Sequence, residues 1–196
     1  MSKKLKKSIT ILTIIILVII AVVSTFFIVK YFINKKEIDT TTEYYTEDKI
    51  QDRLTNDDGN VTKEDLTLKI NGETVLGVIN IPKINYEGLV YEGTNIETLN
   101  KGIGHFENSP FLEGNVCLAG HNYSGVWKYL YTLQNGDKIT YTSFLGTKEY
   151  EVNKVVQVNA TDWTLLEDTD DNILTLVTCV KNEPDLRFIV QAIECK

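Results

Sequence analysis

Histidine, arginine, proline and cysteine are all scarce in this 196-residue chain, which has two His, two Arg, three Pro and three Cys. The Cys (117, 179, 195) and His (105, 121) make no CxxC or HxxxH spacing, which argues against the usual structural zinc sites. An odd number of Cys leaves at least one thiol unpaired in an exported chain. Acids are absent from the first 36 residues, which hold seven Lys, whereas the remainder has 13 basic against 27 acidic residues. So acidic a body lacks the clustered cations that phosphate contacts require, so no nucleic-acid partner is expected. Internal repeats and low-complexity segments are missing too.

What is present first is a long apolar run. Ile9 to Val29 carries no charge over 21 residues and is dense in Ile, Val and Leu. At about 1.5 Å per residue such a helix spans the ~30 Å hydrocarbon core of a bilayer. A cleaved signal peptide would have a shorter apolar region of about 7–15 residues and an A-x-A-like site. Ala21-Val22-Val23 lacks the second small residue, so an uncleaved membrane anchor is the preferred reading. Lys3, Lys4, Lys6 and Lys7 precede the run, and Lys30, Lys35 and Lys36 follow it. By the positive-inside rule this bias predicts a cytoplasmic N-terminus and an extracellular C-terminal domain.

Glu37 to Asp65 is rich in Thr, Asp, Glu and Asn, with ten acids and three bases. It reads as a solvated spacer, with a short helix near Thr46–Leu54 and a turn at Asp57-Asp58-Gly59-Asn60. The expected layout is a basic N-terminus at 1–8, an anchor at 9–29, a stalk at 30–65 and a folded domain at 66–196.

From Leu66 onward the pattern is β. Strands are expected at Thr74–Ile81, Tyr86–Tyr91, Asn115–Gly120, Lys138–Ser143, Lys148–Val158, Asn172–Val180 and Leu186–Ile193. Helical turns are expected at Ile96–Asn100, Trp127–Leu133 and Asp162–Glu167. About eight short strands with small helical pieces predict an all-β fold, preferably a closed barrel.

Chemistry concentrates at strand ends. Ile173-Leu174-Thr175-Leu176-Val177-Thr178-Cys179 is a buried-strand pattern that delivers a thiol to a rim, next to the polar loop Lys181–Asp185. A buried Cys is ordinarily a small hydrophobe, but one at a strand terminus is both held and reachable. A nucleophilic thiol needs a base. His121 follows the apolar strand ending Leu118-Ala119-Gly120 and is favoured. His105, in Gly102-Ile103-Gly104-His105-Phe106, is the other candidate. Acyl transfer also needs a donor for the developing oxyanion. Arg187, eight residues after Cys179, opens the final strand and carries a planar donor fork. A surface ion pair with Asp185 or Glu183 is the plain alternative for it. Cys117, inside the strand leading to His121, is expected to be an inert core thiol.

Taken together these segments resemble the sortases, membrane-anchored cysteine transpeptidases of Gram-positive cell surfaces. Thr175-Leu176-Val177-Thr178-Cys179 is similar to the family's TLxTC signature, and Arg187 follows in its closing strand. Leu118-Ala119-Gly120-His121 resembles the catalytic-histidine motif, and Ile79-Asn80-Ile81-Pro82-Lys83-Ile84 resembles the I-P-K-I element. The resemblance spans roughly residues 74–194. It implies an eight-stranded sortase β-barrel with His121, Cys179 and Arg187 as the catalytic residues, and makes His105 structural. It further implies cleavage of an LPXTG-like sorting signal between Thr and Gly through a Cys179 thioester. The acyl group would pass to an amine of a peptidoglycan precursor or another surface protein. Neither a long helical insertion nor an N-terminal lid motif is seen, which fits a class D or class A type. No cofactor or metal is expected. Calcium activates some class A members, but the loop acids Glu107, Glu113, Glu167, Asp168, Asp170 and Asp171 read as solvated carboxylates. Two other functions fit the residues without the resemblance: a tethered β-barrel binding module, and a cysteine hydrolase releasing peptide to water.

Overall fold

The computed structural model describes residues 3–46, 48–51 and 62–195. The chain divides into two compact units, at Met1–Asp39 and Thr40–Lys196. The turn expected at Asp57–Asn60 lies outside the described residues, and the short helix expected near Thr46–Leu54 is described only at 48–51.

The first unit consists of helix α1, which runs Lys3–Tyr44 and so ends in the second unit. Within it, Lys7–Tyr44 is long and apolar enough to cross a membrane, with a window of mean hydropathy 3.2. Its apolar side chains from Ile9 to Ile33 are exposed. The hydroxyls in this stretch bond back to the helix, Thr13 Oγ1 to the Thr10 carbonyl and Thr25 Oγ1 to the Ala21 carbonyl, both at 2.8 Å. That internal satisfaction is what lets a hydroxyl sit in an apolar surrounding. The helix continues past the apolar run, which sequence alone bounds at Val29.

The second unit is a β-barrel. Its elements are α2 (Lys63–Leu66), β1 (Leu68–Ile70), β2 (Glu73–Ile81), β3 (Tyr86–Glu92), α3 (Ile96–Leu99), β4 (Ile103–His105), β5 (Asn115–Ala119), β6 (Lys138–Ser143), β7 (Gly146–Asn159), β8 (Ile173–Val180) and β9 (Glu183–Glu194). The sheet order β1-β2-β3-β4-β5-β8-β9-β7-β6, with β6 also pairing β2, closes eight strands into a ring. β1 lies outside the ring and pairs with the start of β2. Most neighbours are antiparallel; β3–β4 and β5–β8 are parallel. The closed all-β barrel expected from the strand pattern is the fold observed.

Alternation explains the interior. β6 reads exposed–buried by turns, with Ile139, Tyr141 and Ser143 inside. β5 is buried along its whole length, which matches the apolar run Val116–Ala119 that follows Asn115. Val116, Leu118, Trp127, Leu174, Leu176 and Val190 are among the fully buried core residues.

Four local expectations differ from the structure. Ile103–His105, which none of the expected strands covers, is a strand, because it bridges β3 and β5. Trp127–Leu133 is mostly turn, with a single 3₁₀ turn at Leu130–Thr132. Its apolar spacing comes from Trp127, Leu130 and Leu133 plugging the core one turn at a time. The segment between the last strands is a two-residue turn, Lys181-Asn182, and not a five-residue loop. Asn182 takes the left-handed conformation (φ 65°) that such a turn needs. Lastly, the region read as spacer adds to the barrel core. Tyr45 is 1% exposed, donates to the Val75 carbonyl at 2.6 Å, and accepts from the Leu68 N–H at 2.9 Å. Ile50 is buried in the same core.

Candidate active site

β5 and β8 are parallel neighbours whose register pairs Asn115 with Ile173 and continues in step to Ala119 with Val177. Every pair is offset by 58 positions, and so are His121 and Cys179. Both residues follow directly from the paired segments, so the register carries them to the same rim at the same level. The step beyond the last pair is clamped. Gly120 donates its N–H to the Val177 carbonyl at 3.1 Å, and Thr178 Oγ1 donates to the Gly120 carbonyl at 2.7 Å. Asn122 Nδ2 then donates to the Cys179 carbonyl at 2.7 Å. Gly120 is required by crowding: a Cβ there would meet Trp127 Cε3 at 2.7 Å and Ile103 Cδ1 at 2.8 Å.

The third residue arrives across the β8–β9 hairpin. Val180 pairs with Glu183, and then the register shifts, so that Cys179 pairs with Arg187. Pro184, Asp185 and Leu186 are looped out between these pairs. Proline has no N–H to give to a ladder, which favours such a bulge. The Arg187 guanidinium closes the bulge, with Nη1 donating to the Pro184 and Leu186 carbonyls at 2.8 Å each. A guanidinium has five N–H donors, and among the described residues Nε and Nη2 make no hydrogen bond. Among the described residues Arg187 has no ion pair, so neither Asp185 nor Glu183 holds it.

Cys179 is exposed, a free thiol at the end of a rigid strand. His121 is half-buried and stacks on Tyr123 at 5.1 Å between ring centroids. Two grooves meet at Cys179. The smaller, about 260 Å³, is lined by His121, Cys179 and Arg187 together with Leu99, Phe106, Asp162, Trp163, Leu166, Val177 and Ile189. The larger, about 770 Å³, is lined by Cys179 with Asn122, Tyr123, Trp127, Lys128, Tyr131, Gln157, Lys181 and Phe188.

A buried polar network holds the wall of the smaller groove. Asn115 Nδ2 donates to the Leu165 and Glu167 carbonyls, and Gln191 Nε2 donates to the Leu165 carbonyl at 3.0 Å. Thr175 joins both, giving its hydroxyl to Asn115 Oδ1 at 2.6 Å and accepting from Gln191 at 3.1 Å. Sequence reasoning missed this layer. Its signal is there as single polar residues inside apolar strands, which are costly unless bonded. Asn122, Tyr123 and Trp163 were not singled out as site residues either; as polar or aromatic loop residues they carry no signal that ties them to Cys179.

The remaining candidates are structural in placement. His105 is fully buried, stacks on Phe111 at 4.8 Å, and has Nε2 3.0 Å from both the Pro110 carbonyl and Ser109 Oγ. It lines neither groove. Cys117 is fully buried, and burial pushes its thiol up to about 12. Asp168 accepts from the Asn115 and Thr169 N–H groups. Among the described residues no three His, Cys, Asp or Glu side chains are grouped to hold a metal ion.

Thiol, imidazole and guanidinium at one rim of a closed eight-stranded barrel define a recognisable class. Residues 79–194 match the family model described as the sortase domain, so the chain belongs to the sortase family. It is 35% identical over 124 residues to Sortase D of Bacillus subtilis, covering 58% of this chain and 61% of that one. It is 30% identical over 122 residues to Sortase A of Listeria monocytogenes, covering 60% and 55% respectively. The aligned part thus spans less than two thirds of either relative's length. Among solved structures, a Clostridium perfringens Sortase D5 transpeptidase superposes with a TM-score of 0.64 at 28% identity, covering 83% of this chain and 98% of that one.

Proposed function

We propose that this chain is a sortase transpeptidase that cleaves an LPXTG-like sorting signal between Thr and Gly. The observation that carries the reading is the shared cleft: His121, Cys179 and Arg187 all line the smaller groove. The thiolate of Cys179 attacks the Thr carbonyl, a C–S bond forms, and the C–N bond to Gly breaks. His121 gives its proton to the departing amine. Arg187, with Nε and Nη2 uncommitted, faces the oxygen that becomes negative. In the second half an amine of a peptidoglycan precursor or surface protein loses its proton to His121 and attacks the thioester, restoring the thiolate. The apolar walls of the smaller groove, Leu99, Phe106, Trp163 and Ile189, suit the Leu-Pro part of such a signal. The larger groove reaches Cys179 from another side and leaves room for the acceptor. No cofactor or metal is needed for these steps.

The apolar helix is proposed to anchor the enzyme, with its lysine-rich start in the cytoplasm and the barrel outside. The subclass is proposed as A or D.

The test is the full chain with a labelled LPXTG-type peptide, with and without an added amine. An acyl adduct on Cys179 and amine-dependent product are expected. No adduct with any sorting peptide would leave a binding module. Release at a rate indifferent to amine, with only water as acceptor, would leave a hydrolase.

A further inference from the structure

The two grooves differ in charge. Residues 40–196 hold 13 basic and 25 acidic side chains, so the barrel unit as a whole is acidic. The smaller groove has one charge of each sign, Asp162 and Arg187. The larger groove is lined by Lys128 and Lys181 and by no acid. Elsewhere on the barrel Lys83, Lys101, Lys138 and Lys148 each pair with a carboxylate, whereas Lys69 on β1 and Lys154 on β7 stand singly on strands away from this groove. Among the described residues Lys128 and Lys181 have no carboxylate within 4.0 Å. Lys128 Nζ rests over the Tyr129 ring, 5.2 Å from its centroid. Tyr123 and Tyr131 on the same loop are about half exposed and give the groove flat apolar walls beside the two cations. Two unneutralised lysines in a cleft of an acidic body create a local positive field, and a low-dielectric wall strengthens it.

From this charge asymmetry we infer that the larger groove selects acceptor amines that carry an anionic group, a carboxylate or a phosphate, near the reacting nitrogen. The inference rests on the transpeptidase reading and deepens it. Lys128 and Lys181 hold the anion while the amine reaches the Cys179 thioester. They take no part in making or breaking the acyl bond. A like-charged, purely cationic acceptor is disfavoured at the same place.

The experiment uses the full chain and a labelled LPXTG-type peptide as donor, with acceptors matched except for charge. β-Alanine is compared with β-alaninamide, and phosphoethanolamine with ethanolamine. Transfer product is measured at low and high salt and corrected for each amine's own basicity. The expected result is a preference of roughly tenfold for one or both anionic members, in line with two partly exposed ion pairs. It should shrink with salt, as surface charge effects do. In the Lys128→Gln/Lys181→Gln variant the ratio between acceptors with and without the anionic group should fall to about one. The pair with the larger ratio identifies carboxylate or phosphate as the preferred anion. Normal acyl adduct without any anionic preference in the unaltered chain, or a preference that survives in the double variant, overturns the inference alone. Absence of an acyl adduct overturns the transpeptidase reading, and this inference falls with it.

Discussion

His121 and Cys179 occupy equivalent positions on two parallel strands, each two residues past the last β5–β8 pair, Ala119 with Val177. Their alignment is therefore set by backbone register and not by side-chain packing. A change that slips β5 against β8 by one residue leaves the two side chains on opposite faces of the sheet. The predictions below follow from where each side chain sits.

Cys179→Ala should abolish acyl-adduct formation, read by mass spectrometry of the intact chain. Its melting temperature should move little, because the thiol is exposed. Retained turnover would remove Cys179 from the chemistry.

The two histidines should separate cleanly. His121→Ala is expected to reduce turnover by about 10²–10⁴-fold with little loss of stability. His105→Ala should instead destabilise the fold by about 2–4 kcal/mol, as it empties a buried, stacked and hydrogen-bonded site. Chemical denaturation and steady-state assay of both variants check the pair; the reverse pattern would exchange their roles.

Arg187→Lys should be nearly as damaging as Arg187→Ala. A lysine cannot bridge the Pro184 and Leu186 carbonyls and still present a second planar edge. Peptide cleavage rates decide this, and full activity in the lysine variant would mean that charge alone suffices.

Tyr45→Phe removes two hydrogen bonds from a nearly buried ring and should cost about 1–3 kcal/mol in unfolding free energy. A shortened chain starting after residue 50 should lose more, since Tyr45 and Ile50 both belong to the core. Denaturant midpoints of the three chains give the comparison.

Alkaline pH should weaken the barrel. Burial raises the thiol of Cys117 from 9.0 to about 12 and also raises the hydroxyls of Tyr86, Tyr141 and Tyr150. Above pH 9 the unfolded chain releases the thiol proton while the folded chain keeps it. Stability therefore falls as pH rises from 9 towards 12. Cys117→Val should flatten the first part of that decline in a pH series of melting curves.

The sequence carried the barrel and the site unequally. Strands rich in β-branched residues, such as Ile173–Val180, announce themselves, because a strand buried along most of its length is built from Ile, Leu, Val and Thr. Ile103–His105 does not, since three residues with Gly102 before them and Gly104 among them become a strand only through β3 and β5 on either side. The thiol and imidazole were recoverable because both stand at strand ends. The nearness of Arg187 to Cys179 was legible too, from strands ending at Val180 and opening at Leu186; the two-residue turn and the bulge around Pro184 that produce it were not, since no local rule counts them. Nor could Tyr45 be assigned to the core, since its partners at Leu68 and Val75 lie 23 and 30 residues away.

β2 uses one of its edges twice, with β1 along Glu73–Val75 and β6 along Gly77–Asn80. Ring closure thereby leaves, among the described residues, no long strand with an open row of amides and carbonyls. The strand outside the ring is three residues long and has a lysine at its centre. Barrels built this way resist zipping onto one another through shared strands. That geometry keeps neighbouring barrels separate on encounter and each rim accessible.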